Sequence, residues 1–183
     1  MNRDISSAVY LDNTAQISET MTSRARNSAR KASKSGVIVV RRGELSDFWV
    51  VMEKTFQKLG IRPAHTLQEF HALSERFPED IYVDIAYLDQ RPIAGIGYFV
   101  INERVNSSFY FCQDPEFQNR HALSLLVSEA LFDSQHSGFK WFDFGTSSVS
   151  MRGKENLFRF KESFGAVGLF RETYLWKADD GGV

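Results

Sequence analysis

Two spacings of apolar residues divide this chain into helices and strands before any chemistry is considered. Phe48, Val51, Met52, Phe56 and Leu59 recur at the 3.6-residue helical period, and Gly60 stands where that helix must stop. After Pro63, Thr66-Leu67-Gln68-Glu69 has the form of a capping box. It opens a second helix through Leu67, Phe70, Leu73 and Phe77 that Pro78 ends. Between them these signals predict two helices over 48–59 and 67–77.

Three strands are predicted next, over 81–88, 93–101 and 107–112, with turns at Asp89-Gln90-Arg91-Pro92 and near Asn106. Their apolar runs are continuous rather than alternating, as in a sheet covered on both faces. Asp114-Pro115 breaks the last strand. A helix follows over 119–135 with Leu123, Leu126, Val127, Ala130 and Leu131 inward, then a strand over 140–144, a helix bearing Lys161, and a strand over 166–176. Upstream, small and basic residues with Ala25, Ala29 and Ala32 on one side predict a helix over 18–36. Val37-Ile38-Val39-Val40 predicts a strand. Residues 1–17 show no period and are expected to form a mobile arm or one short strand around Val9-Tyr10-Leu11. Residues 178–183 are expected to be a disordered tail. The rest, 18–177, forms one domain, an α+β fold whose mixed sheet carries helices on both faces.

One position breaks its pattern. Leu157, Phe160, Lys161 and Phe164 share a helix face, so an ammonium stands in an apolar stripe. A buried lone charge costs several kcal/mol, so such a lysine reaches water, finds an anion or loses its proton.

Composition narrows the class. At 183 residues, 43% hydrophobic and 25% charged with a net charge of −1, the chain is that of an ordinary globular domain. No apolar run reaches the ~18 residues a membrane span needs, and no signal-peptide core opens the chain. Insertion in a membrane is not expected, and a cytoplasmic location is. The single cysteine, Cys112, ends a strand and reads as a buried small side chain; it excludes an internal disulfide or a cysteine-held zinc. None of the four histidines shows metal-ligand spacing, and His121 is singled out only by its place near a helix start. No metal is expected. Charge is uneven, however: Arg24, Arg26, Arg30, Lys31, Lys34, Arg41 and Arg42 fall between Met21 and Gly43 with no acid among them. Such a block is either a solvated helix face or a site for phosphates on a nucleic acid, nucleotide or lipid carrier.

Before the Lys161 helix lies a segment rich in donors: Gly145, Thr146, Ser147, Ser148, Ser150, Arg152 and Gly153. A loop of this kind can hold an anion through backbone N–H groups and a helix dipole. It lacks the spacing of a P-loop. Arg30, Lys31 and Arg152 are the candidate phosphate contacts, since Arg binds phosphate bidentately and Lys as a point charge. Asp143, between Phe142 and Phe144, points to the face opposite both rings and could accept a proton or organise the loop. Tyr110 and Tyr174 are packing residues or proton donors.

Four segments resemble the FemAB-like branch of the GCN5-related N-acetyltransferase (GNAT) superfamily, which transfers aminoacyl groups from tRNA to peptidoglycan precursors. They are Arg26 to Gly36, Lys58-Leu59-Gly60-Ile61-Arg62-Pro63, Arg91-Pro92-Ile93-Ala94-Gly95, and Phe142-Asp143-Phe144-Gly145 with the later Phe160-Lys161-x-x-Phe164-Gly165. The resemblance spans roughly 24–176. It implies a GNAT-like fold and an N-acyltransferase acting on an amine of a small molecule or peptide, with a cell-envelope or polysaccharide precursor as the expected acceptor class. Lys161 and the backbone around Phe160 are implied to face the acyl donor, either acetyl-CoA (or another acyl-CoA) or an aminoacyl-tRNA. Ordinary members place a glycine-rich turn for the coenzyme A pyrophosphate where 114–122 here has no glycine. FemAB proteins hold two such domains, so a homodimer could supply the second wall of the cleft, pairing at an edge of the three-strand meander. The alternative function is an inactive GNAT-like module that binds a phosphorylated ligand, RNA or a protein.

Overall fold

The structure, a computed structural model, describes residues 2–11 and 16–176. Its elements run β1 (Asn2–Tyr10), α1 (Ser23–Lys34), β2 (Ile38–Val40), α2 (Leu45–Leu59), α3 (Leu67–Arg76), β3 (Ile81–Leu88), β4 (Arg91–Asn102), β5 (Val105–Gln113), α4 (Ala122–His136), β6 (Trp141–Thr146), β7 (Ser148–Val149), β8 (Arg152–Gly153), α5 (Glu155–Glu162) and β9 (Val167–Thr173). Seven strands make one mixed sheet in the order β2-β3-β4-β5-β6-β1-β9, while β7 and β8 pair as a separate hairpin. The sheet is antiparallel except where β5 meets β6.

Local signals explain most boundaries. The Thr66 hydroxyl accepts the Glu69 N–H while the Glu69 carboxylate accepts the Thr66 N–H, a reciprocal cap at the start of α3. Gly60 ends α2 in the left-handed region, φ +66°. Asp89 and Gln90 both take positive φ, as a two-residue hairpin turn requires. The second turn falls at 103–104 rather than near Asn106. Asn106 is buried inside β5, and its amide donates to the Ser134 hydroxyl at 2.9 Å.

The sheet has two cores. Phe48, Trp49, Val51 and Met52 of α2 and Phe70 of α3 pack on one face, called face B below. Opposite, on face A, the alanine stripe of α1 lets it approach α4, which covers Ile96, Tyr98, Phe142 and Phe144. Cys112 is fully buried on face B, and burial pushes its thiol pKa up. The glycine that closes the Pro-Ile-Ala-Gly segment, Gly95, is required on steric grounds. A Cβ there would sit 2.6 Å from the Phe48 ring and 3.1 Å from Cys112 Sγ. Gly95→Ala is expected to cost about 1–3 kcal/mol by overpacking, read as a lower denaturation midpoint at unchanged slope.

Two expectations change. Residues 2–10 are not a mobile arm but a nine-residue strand between β6 and β9. Their polar sequence hid this, because β1 is held by ladders on both sides rather than by a continuous apolar run. Nor does the meander offer an edge: β2 lies outside β3, and β6 lies outside β5. The free edges are the three-residue β2 and the seven-residue β9. The expected tail at 178–183 lies outside the described residues. Among those described, no helix is long and apolar enough to cross a membrane.

Candidate functional site

The parallel pair β5–β6 is short. Only Val105, Ser107 and the residue between them face β6, opposite Trp141 to Asp143, although β5 runs on to Gln113. Beyond those rungs the strands part. A bulge at Phe109, where Gly97 pairs Tyr110 and Tyr98 pairs Ser108, bends β5 at that point. Gly145, at φ +72°, turns the end of β6. The result is a fork in the sheet, open between the C-terminal ends of two strands, where ligands bind in many α/β folds.

Lys161 reaches this fork from face A. Only 2% exposed, its ammonium donates to the carbonyls of Gly145 and Thr146, both at 2.9 Å. Burial lowers its pKa to about 8, against a smaller upward pull from the Asp143 charge. The lysine thus pins α5 to the end of β6. It is held by backbone carbonyls and not by an ion pair with Asp143.

Asp143 lies on face B. Its Oδ1 accepts the Ser6 hydroxyl at 2.9 Å and the Gly145 N–H at 2.8 Å, so it ties β1 to the bend that forms the fork. The serine-rich segment after it is a hairpin rather than an open loop. Ser148 pairs Gly153 and Val149 pairs Arg152, with Ser150 and Met151 at positive φ. Its donors go to β1: Ser148 Oγ donates to Asp4 at 2.7 Å, Met151 N–H to the same carboxylate at 3.0 Å, and Ser147 N–H to the Ile5 carbonyl at 2.7 Å. Ser147 and Ser148 are buried. The anion-loop expectation for Ser147 and Ser148 therefore gives way to a structural one.

A cavity of about 420 Å³ lies on face A, formed where α1, the start of α4, and α5 meet. Arg24, Ser28, His121, Ser124, Arg159 and Phe160 line it among others. The clasp that sets its width is short. Thr22 caps α1 by accepting the Ala25 N–H, and its own N–H donates to the Ser163 carbonyl at 2.8 Å. His121 takes the left-handed conformation, φ +56°, just before the 15-residue helix α4, so the positive end of that helix dipole opens on the cavity. Two guanidiniums and four hydroxyl or imidazole groups fit a phosphate-bearing carrier. A larger hollow of about 680 Å³ beside Tyr82 is lined by Glu79, Asp80 and Glu103 against one cation, Arg42, which is paired with Glu79, so its acidic excess disfavours such a ligand.

Of the residues named in the sequence, Arg24 of the basic block, His121 and Phe160 line this cavity, while Lys161, Asp143, Gly145 and Thr146 gather at the fork. Arg30 and Lys31 stand exposed on α1, and Arg152 is exposed in the hairpin; none of the three lines the cavity. Ser28, Ser124 and Arg159 were missed, and Arg24 was named only as part of the basic block. Arg24 and Ser28 lie four apart on α1, and that spacing was the available signal. Tyr110 is buried, and its hydroxyl accepts the His65 N–H at 3.2 Å; burial raises its pKa. Tyr174 is exposed and donates to Glu172.

Residues 20–162 match the family described as Acetyltransferase (GNAT) domain, and the chain belongs to that family. A search of curated protein sequences finds no significant match. Among solved structures the fold is similar to FemX, at a TM-score of 0.75 and 13% identity over 90% of this chain and 59% of that one. It is also similar to the C-terminal domain of a putative lysylphosphatidylglycerol synthetase from Agrobacterium fabrum (TM-score 0.67, 12% identity, 92% and 58% covered). L-PGS from Bacillus licheniformis gives 0.65 and 11%, with 93% and 60% covered. The chain spans about three fifths of the length of each. At such identities the likeness concerns the fold.

Proposed function

We propose that this domain is an N-acyltransferase that moves an acyl or aminoacyl group from a phosphorylated carrier to an amine. The observation that carries the reading is the basic cavity on face A, placed beside the fork of a GNAT sheet. The carrier's phosphates sit against Arg24, Arg159, Ser28 and the start of α4, and its acyl end passes along Phe160 toward the fork. The donor supplies a thioester or ester carbonyl. The amine nitrogen bonds to the acyl carbon, the carbon–sulfur or carbon–oxygen bond breaks, and the proton lost by the amine balances the one gained by the leaving group. Lys161 holds the Gly145 and Thr146 carbonyls, and its charge offsets negative charge developing near the fork.

Acyl-CoA and aminoacyl-tRNA are both carriers of this kind. No glycine cradles a pyrophosphate before α4, whereas the exposed cations of α1, including Arg30 and Lys31, extend the basic surface in the direction a longer polyanion would use. Peptide or small-molecule amines of envelope or polysaccharide precursors are the proposed acceptors, and the cytoplasm is the proposed place. An inactive module that binds a phosphorylated ligand, RNA or a protein would use the same cavity. A second copy, if the chain pairs with itself, would add to β9, whose outer edge and Phe170 are exposed.

A thermal-shift series with acetyl-CoA, a charged tRNA mimic and nucleotide-linked precursors tests this. One of the carriers raises Tm in proportion to log concentration, and Arg24→Glu with Arg159→Glu abolishes the shift. Equal shifts in wild type and the double variant would remove the cavity from the mechanism.

A further inference from the structure

Two hairpin turns among the described residues carry the same backbone strain, and only one has long strands to hold it. Asp89 and Gln90 take φ of +49° and +64° between β3 and β4, of 8 and 12 residues. Ser150 and Met151 take φ of +50° and +62° between β7 and β8, which share two rungs. Turns of this kind favour Asn-Gly, because a Cβ at positive φ crowds the backbone. A residue such as methionine keeps that conformation only where neighbouring structure imposes it.

What imposes it here is a carboxylate on another strand. Asp4 Oδ1 accepts the Ser148 hydroxyl at 2.7 Å and the Met151 N–H at 3.0 Å, so one oxygen grips a limb of the hairpin and its turn. The Asn2 amide donates to Asp4 Oδ2 at 3.0 Å and steadies it. Packing adds little, since residues 149–157 are all exposed, Val149 at 54% and Met151 at 66%. Further ties fasten the base of the hairpin and not its tip. Ser147 N–H donates to the Ile5 carbonyl at 2.7 Å, and Lys154 N–H to the Ser147 carbonyl at 2.8 Å. Strain, few rungs and an open surface are the properties of a segment that opens locally while the sheet stays closed.

Helix α5 begins directly beyond this hairpin. Its first residues, Glu155 to Leu157, are exposed, and full burial is reached only at Lys161. The outer half of α5 is therefore positioned by the hairpin, yet α5 brings Asn156 and Arg159 to the wall of the donor cavity.

We propose that residues 147–154 are a strap latched by Asp4, whose release frees the outer half of α5 to move at the donor cavity. The proposal rests on the transfer reading only in calling that cavity a donor site; the latch needs no donor. Strap closure and occupancy of the cavity are then linked, each favouring the other.

Amide hydrogen exchange of the full chain tests this, resolved by residue with NMR and corrected for intrinsic rates. In the wild type, Lys154 exchanges about 100-fold or more faster than Ile96 in the middle of the sheet. Asp4→Ala speeds exchange at Lys154 and Arg159 about tenfold or more and leaves Ile96 unchanged. Ser148→Ala removes the same bond from the hairpin side with β1 intact, and gives the same result should Asp4→Ala fail to fold. Met151→Gly relieves the strain and slows Lys154 about threefold, whereas Gln90→Gly leaves Lys154 as it was. Unchanged exchange at Lys154 in the two latch variants, an equal rise at Ile96, or faster exchange in Met151→Gly would overturn the latch. Acetyl-CoA and a charged tRNA mimic are then added separately, and the carrier that binds slows Lys154 about fivefold or more. A carrier that binds without slowing it would overturn the coupling to the cavity. If neither carrier binds, the transfer reading fails, while the variants still decide the latch.

Discussion

Replacing Lys161 by methionine removes an alkaline rise in stability that the wild-type protein shows. The folded-state pKa is about 8, below the ordinary 10.5 of the unfolded chain. Between those values the unfolded state binds more protons than the native state, so stability increases with pH across this window and is least below pH 8. The difference corresponds to about 3 kcal/mol for a group this deeply buried. Lys161→Met lacks the rise, because methionine carries no proton to lose. At pH 7 two opposing effects meet: the variant is relieved of a buried charge but strands the Gly145 and Thr146 carbonyls, each worth about 1–3 kcal/mol. A net change under about 2 kcal/mol is expected, and Lys161→Ala costs more because it also leaves a cavity. Urea denaturation of wild type and Lys161→Met at pH 7 and pH 10 measures the effect; parallel pH dependences would show that this lysine titrates normally. On the proposed reading, transfer by Lys161→Met falls about 100-fold or more at full folding, since its charge is lost where negative charge develops.

Gly165→Ala is the second large effect. Gly165 has φ +90°, and a Cβ there would lie 2.6 Å from Thr20 Cβ and 2.8 Å from the Thr20 carbonyl oxygen. Backbone strain and overpacking together cost about 3 kcal/mol, or roughly 6–12 °C in Tm for a domain of this size. Gly138 is the control, because at φ +85° its added Cβ would meet nothing within 4 Å. Gly138→Ala is expected to cost about 1–2 kcal/mol from strain alone. If the two variants melt together, the contact with Thr20 is not what requires glycine. Because Thr20 and Thr22 bond to the carbonyls of Phe164 and Ser163 at the end of α5, Gly165→Ala is expected, on the proposed reading, to weaken donor binding in the adjoining cavity as well. The glycine closing the Phe-Lys-x-x-Phe-Gly segment is thus explained by packing.

The same segment shows how far the sequence alone reaches. Helical spacing correctly puts Lys161 and Phe164 inside, at 2% and 1% exposure, because a short amphipathic helix has only one face to bury. It fails for Leu157, which is exposed, since α5 is covered only along its last turn. Capping chemistry located α3, and a continuous apolar run located β3 to its end residues. What stayed hidden depends on partners far away in the chain. The extent of β1 beyond the apolar Val9-Tyr10-Leu11 and the hairpin in 148–153 have no local signal, because β1 is held by ladders to β6 and β9 and the hairpin by its bonds to β1. The cavity was equally illegible, since Arg24, His121 and Arg159 are brought together only when three elements converge. Hence, of the basic block that the sequence offers as a phosphate candidate, Arg24 lines the cavity while Arg30 and Lys31 lie off it.

The placement of β1 also bears on how this chain comes to be folded in a cell. Residues 2–10 have their ladder partners at 141–146 and 167–173, so the centre of this half of the sheet closes only through contacts very distant in the chain. Contacts of such separation carry a large loop-closure entropy, so β1 is expected to dock late in folding, after the meander and its helices have formed.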